Sequence, residues 1–111
     1  MFEGLFGTKG YKSISAQATK ERLNENKDTL LVDVRSKDEY KQGHIPGSKN
    51  IPLDQITAIE KAAKDKDKEI IVYCLSGARA SSACSALCQM GYTNVSNMGG
   101  IRSWPYDIKK G

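Results

Sequence analysis

Cys74 opens the stretch Cys74-Leu75-Ser76-Gly77-Ala78-Arg79, set between the run Glu69-Ile70-Ile71-Val72-Tyr73 and the small residues Ala80-Ser81-Ser82-Ala83. A strand that delivers a thiol into a short glycine-containing turn, with a helix starting behind it, aims several backbone N–H groups at one point. The helix dipole adds partial positive charge there, so the turn reads as an anion cradle. Arg79 closes it with a permanent cation and a planar fork suited to sulfuryl, phosphoryl or carboxylate oxygens. A cysteine in that setting is expected to react as the thiolate, the form in which sulfur is a nucleophile. A strand-end cysteine is otherwise a small apolar filler. The Cys-x4-Arg frame with its internal Ser-Gly favours the nucleophile.

The elements around this turn follow from hydrophobic patterning. Ser15 to Asn26 reads as an amphipathic helix with Ser15 as N-cap and Ala16, Thr19 and Leu23 on one face. Leu30-Leu31-Val32-Asp33-Val34 is a short apolar run of the kind buried on both faces of a parallel sheet, interrupted by Asp33. Ser36-Lys37-Asp38-Glu39 has the capping-box pattern and predicts a short helix to Gln42, followed by a turn over Gly43 to Ser48. A brief edge strand is expected at Asn50-Ile51-Pro52, and a helix over Leu53 to Ala63 with Ile56 and Ile59 inward. A strand over Glu69 to Tyr73 leads to the Cys74 turn and to a helix from Arg79 to Met90, with Gly91 just past its end. One more strand over Tyr92 to Met98, a Gly99-Gly100 turn and a last helix over Ile101 to Tyr106 complete the series. Strands alternating with helices predict a parallel α/β sheet whose site lies at the carboxyl ends of the strands. Asp33, Arg35 and Cys74 are then expected on one rim.

The 111 residues suit one domain, with residues 1–10 read as an N-terminal extension and 11–111 as the domain proper. Charged residues at 27% and hydrophobic ones at 39% match a globular protein, excluding the disordered and membrane classes. The net charge of +4 is modest, and the most charged stretch, Glu60 to Glu69, sets four lysines against four acids. It reads as a solvated face and not as a nucleic-acid footprint. The first residues carry no basic leader or secretory h-region, so a cytoplasmic location is expected. Three cysteines without Cys-x2-Cys pairs fit a reducing compartment, and neither a metal nor another cofactor is expected. Phe2, Leu5 and Phe6 recur at helical spacing and read as a docking handle or a strip packed on the domain.

Asp33-Val34-Arg35, Glu39-Tyr40, Gly43-His44-Ile45-Pro46-Gly47-Ser48, Cys74 to Arg79, and Gly99-Gly100-Ile101 with Trp104 occur in an order that resembles the rhodanese family. The resemblance runs from Tyr11 to Tyr106 and implies a single rhodanese-like α/β domain, a central parallel sheet flanked by helices. It further implies a sulfurtransferase in which Cys74 accepts sulfane sulfur as a persulfide and passes it on. The donor would be thiosulfate or a persulfide, and the acceptor cyanide, a thiol or a protein of a sulfur relay. The six-residue loop resembles that of sulfurtransferases, whereas related phosphatases carry one more residue and commonly a His before the cysteine, where Tyr73 stands here. Leu75 occupies a place where a basic residue is frequent in the family, and Ala78 one where a polar residue often occurs. Two other readings stay open: a persulfide carrier without rapid turnover, and a small cysteine phosphatase or arsenate reductase.

Within that reading Cys74 is the nucleophile, the N–H groups from Leu75, Ser76, Gly77, Ala78 and Arg79 form the cradle, and Arg79 either holds the donor's oxygens or braces the loop. Asp33 is expected to accept N–H bonds of the turn that follows it, and Arg35 to pair with Glu39. His44, the only histidine, reads as a hydrogen-bonding brace. Cys84 is expected in the core and Cys88 in solvent; at i, i+4 they would offer only half a metal site.

Overall fold

The structure, a computed structural model, describes residues 10–111, so Phe2, Leu5 and Phe6 lie outside the described residues. Five strands form one parallel sheet in the order β1-β5-β4-β2-β3. They are β1 Lys12–Ser13, β2 Leu30–Asp33, β3 Lys49–Asn50, β4 Ile70–Cys74 and β5 Val95–Gly100. Between them run helices α1 Ala16–Glu25, α2 Lys37–Gln42, α3 Ile59–Ala62 and α4 Ala78–Gln89, with short 3₁₀ turns at Leu53–Ala58 and Ile101–Ser103.

The alternation of side chains along the central strands builds two cores. Val32, Val34, Ile70, Val72 and Cys74 face α4 and meet its Ala80, Ala83, Cys84 and Leu87, together with Ile56 and Ile59. Leu31, Ile71 and Tyr73 face the other way and pack with Ile45, Met98 and Trp104, with Ala16 and Leu23 of α1 against them. All five residues of β4 are buried, which is why that strand reads as a continuous apolar run.

Local signals set the helix ends. Ser15 Oγ accepts the Ala18 N–H at 3.0 Å, and Thr19 on the inward face is fully buried. At α2 the capping box is complete: Glu39 N–H bonds to Ser36 Oγ at 3.2 Å, and Ser36 N–H to Glu39 Oε1 at 3.0 Å. Gly91 takes a positive φ of 99° directly after Met90, the cap of α4.

Four expectations need correction. The segment after Pro52 is a 3₁₀ turn and a one-turn helix instead of one long helix, because Gln55 breaks the helical backbone at φ −119°, ψ 22°. The expected last helix ends after Ser103: Trp104 precedes a proline and is pushed to extended backbone, φ −88°, ψ 109°. Gly99-Gly100 is the end of β5 and not a turn, and Tyr92 lies outside that strand, with its hydroxyl donating to the Ala63 carbonyl. β1, absent from the sequence reading, pairs with β5 at the sheet edge. Among the described residues no helix is long and apolar enough to cross a membrane.

Candidate functional site

β4 is the central strand, flanked by β5 and β2, and it ends at Cys74 beside the carboxyl end of β2 at Asp33. The following residues turn sharply into α4. Gly77 adopts φ +115°, a left-handed conformation that a side chain would oppose, and so caps a helix whose first N–H groups lack carbonyl partners. Cys74 Sγ collects two donors: the Gly77 N–H at 3.0 Å and the Ala80 N–H at 3.3 Å. The sequence placed the donors within Leu75 to Arg79; Gly77 lies in that span, and Ala80 is one residue beyond it. With Cys74 only 1% exposed, the sulfur forms the floor of the loop instead of standing at its mouth.

The far wall of the loop rests on β5. A register shift between Val72 and Tyr73 sets Tyr73 opposite Gly99 and Cys74 opposite Gly100. A Cβ at Gly100 would overlap the Leu75 carbonyl, so the loop can close against β5 only over a glycine. Asn97 Oδ1 accepts the Gly99 N–H at 2.7 Å and holds this irregular strand end.

Arg79 points along the rim to α2 and forms a two-pronged pair with Glu39, Nη1 to Oε1 at 2.7 Å and Nη2 to Oε2 at 3.0 Å. Hydrogen bonding from Arg79, aided by Ser36 and opposed by burial, lowers the Glu39 carboxyl from 4.5 to about 2. The capping box that starts α2 therefore also orients the partner of Arg79. Glu39 is a residue the sequence reading assigned elsewhere: Arg35 does not pair with it. Arg35 bonds instead to Asp33, Nη2 to Oδ2 at 2.6 Å, and donates to the Gly43 carbonyl at 2.7 Å. The reason is burial: Asp33 is fully buried two residues away on the same side of the strand, and a buried carboxylate needs a cation beside it. Asp33 also accepts the Arg35 backbone N–H at 2.9 Å, which matches its expected part in the turn.

Tyr73 ties the same strand end to the Gly43–Ser48 turn. Its hydroxyl accepts the Ile45 N–H at 3.1 Å and lies 3.0 Å from Ser48 Oγ. Since Ser48 donates its own proton to the Ile45 carbonyl at 2.7 Å, the Tyr73 O–H donates to Ser48. Burial, the main cause, pushes the Tyr73 phenol far up, so it stays protonated and holds this network. His44 is a brace, as its place in the turn suggested. Its Nδ1–H donates to the Tyr40 carbonyl at 2.8 Å, its ring stacks on Tyr40 at 3.7 Å, and its backbone bridges to Lys109.

All three cysteines are free thiols. Cys84 is fully buried behind the loop, and desolvation, its main cause, pushes its thiol up to about 12. Cys88 does not face solvent as expected; it is half-buried against the core, because the chain around Gly10 and Tyr11 covers that side of α4. Among the described residues no group of three or more His, Cys, Asp or Glu side chains is placed to hold a metal ion.

The chain matches the family model for the Rhodanese-like domain over residues 15–106. A sulfurtransferase of Allochromatium vinosum is 40% identical over 92 residues, covering 82% of this chain and 85% of the relative. The thiosulfate sulfurtransferase PspE of Escherichia coli is 40% identical over 72 residues, covering 64% and 69%. Among solved structures, one described as rhodanese with anions from E. coli superposes with a TM-score of 0.71 at 37% identity, covering 75% of this chain and 99% of the other.

Proposed function

The chain belongs to the rhodanese family, and from that premise we propose that it transfers sulfane sulfur through a persulfide on Cys74. The observation that carries this reading is the convergence of the Gly77 and Ala80 N–H groups on Cys74 Sγ at the start of α4. Donors fixed before the reaction stabilise negative charge on sulfur without reorganising, both on the attacking thiolate and on the persulfide that replaces it. In the first half-reaction the Cys74 thiolate attacks the outer sulfur of the donor. A new S–S bond forms, the donor's bond to that sulfur breaks, and the electron pair leaves on sulfite or on a thiolate. In the second, a nucleophilic acceptor removes the outer sulfur and restores the thiolate. The leaving groups are stable anions, so the reaction needs no dedicated base, and His44 has no part in it beyond bracing its turn.

Arg79, Leu75, Ser76, Gly77 and Ala78 form the wall that a donor meets. Arg79 is held by Glu39 and acts chiefly by bracing the loop. Asp33 and Arg35 organise the strand end behind it. A phosphatase reading is disfavoured by the short loop and by Tyr73, locked to Ile45 and Ser48 at the position where a histidine is common in the related phosphatases. The acceptor is a thiol, cyanide or a sulfur-relay protein, and a reducing, cytoplasmic setting keeps the three thiols free.

Incubation with thiosulfate should add about 32 Da, one sulfur atom, to Cys74, and cyanide should remove it as thiocyanate. Mapping of the adduct to Cys84 or Cys88, or its absence with thiosulfate and with organic persulfide and thiosulfonate donors alike, would overturn the assignment. An adduct that forms but discharges only to a protein acceptor would make the chain a carrier instead of an enzyme with small substrates.

A further inference from the structure

A cleft of about 390 Å3 adjoins the loop through Leu75, the residue after the nucleophile. Its apolar lining comes from Leu75, Ile101, Trp104 and Ile108, and the charged residues lining it are Arg35 and Glu39. Leu75 and Ile108 are 38% and 43% exposed, two of the three most exposed large hydrophobic side chains among the described residues. They stand on segments distant in sequence and meet at this one place. Exposed apolar side chains gathered beside a reactive group mark where a ligand covers them.

The charges in the same cleft are already matched. Arg35 is paired with Asp33, and Glu39 with Arg79. The walls therefore offer an incoming dianion little uncompensated cation, while they offer an organic substituent a surface to cover.

We propose that this cleft selects sulfur donors that carry an apolar organic body and a single negative charge, such as low-molecular-mass alkyl or aryl persulfides and thiosulfonates, over thiosulfate. This rests on the persulfide reading of Cys74. The outer sulfur of the donor meets Cys74 while its organic body lies along Leu75, Ile101 and Ile108. With a thiosulfonate, the thiolate forms a bond to the outer sulfur, the bond from that sulfur to the sulfonyl group breaks, and the electron pair leaves on the sulfinate. With a persulfide, the pair leaves on a thiolate, which takes a proton from solvent.

The test is the rate of Cys74 loading, followed by intact mass at fixed ionic strength, with thiosulfate and with methane-, butane- and benzenethiosulfonate. Butanethiosulfonate should load about tenfold faster than methanethiosulfonate, since three further methylenes are partly covered. Thiosulfate should be the slowest. In Leu75→Arg the order should invert, with thiosulfate gaining and the alkyl chain-length dependence falling to about twofold. Ile108→Ser, an exposed position whose change spares the core, should flatten the chain-length dependence in the same way. Loading led by thiosulfate, or at rates flat across the alkyl series, would overturn the inference while leaving the sulfur-transfer reading intact. Loading by none of the donors would overturn both.

Discussion

Cys74 and Cys84 belong to the same buried cluster, yet their backbone surroundings differ. Around Cys74 the backbone turns left-handed at Gly77 and starts a helix, so N–H groups without carbonyl partners close on the sulfur at 3.0 and 3.3 Å. Around Cys84 the helix is already regular, its N–H groups are used within the helix, and the thiol is pushed up to about 12, chiefly by burial. Equal burial thus leaves one sulfur facing backbone N–H donors and the other surrounded by a finished helix. What separates them is whether nearby backbone dipoles remain unspent.

The sharpest break of this contrast is exchange of the sulfur itself. Cys74→Ser should reduce sulfur loading to background, whereas a loss confined to Cys84→Ala would reverse the two roles; intact mass after incubation with thiosulfate reads both. A second break leaves the sulfur in place and moves the donors. One glycine inserted between Gly77 and Ala78 should slow transfer about a hundredfold, because a displacement near 1 Å takes the Ala80 N–H out of reach.

The pair that braces the rim can be removed without touching the cradle. Glu39→Gln should slow transfer about tenfold in single-turnover kinetics, by releasing Arg79 from its two-pronged contact. Its pH dependence has a defined sign. A carboxyl lowered from 4.5 to about 2 contributes stability that is complete above 4.5 and is lost as pH falls towards 2. The difference in unfolding midpoint between wild type and Glu39→Gln should therefore be constant above about pH 4.5 and shrink below it. A difference that vanishes already near pH 6 would show that Glu39 is not the partner of Arg79.

The smallest effect belongs to the inert cysteine. Cys84→Ala should cost about 1 kcal/mol in denaturant unfolding, the ordinary result of removing one buried atom, and leave Cys74 loading unchanged. A change in loading rate of more than about threefold would mean that Cys84 participates in the site.

Much of this arrangement is legible along the chain. The apolar runs of β2 and β4, the Ser15 cap, the Ser36–Glu39 capping box and Gly91 past α4 all act over a few residues, and backbone geometry makes them readable there. The Cys74-to-Arg79 turn belongs to the same class, since a strand, a glycine and a helix start are enough to converge N–H groups. Of the misread pieces, one lacks such a local determinant and one carries it. β1 has two residues and owes its state to pairing with β5, and Trp104 leaves the helix because Pro105 follows, a local signal that the reading passed over.

What the sequence by itself determined is the Cys74 turn, the helix behind it and the parallel α/β frame, because each depends on neighbours within about one turn or one strand. Only the tertiary structure decided which charge meets which. Glu39 and Arg79 are forty residues apart in number, Arg35 turned to the buried Asp33, and Gly100 is required because β5 shifts register against β4. Leu75, Ile101 and Ile108 likewise form one cleft only after the chain has closed. Side chains with two or more equally plausible partners are assigned by burial and distance, and neither exists before the sheet forms.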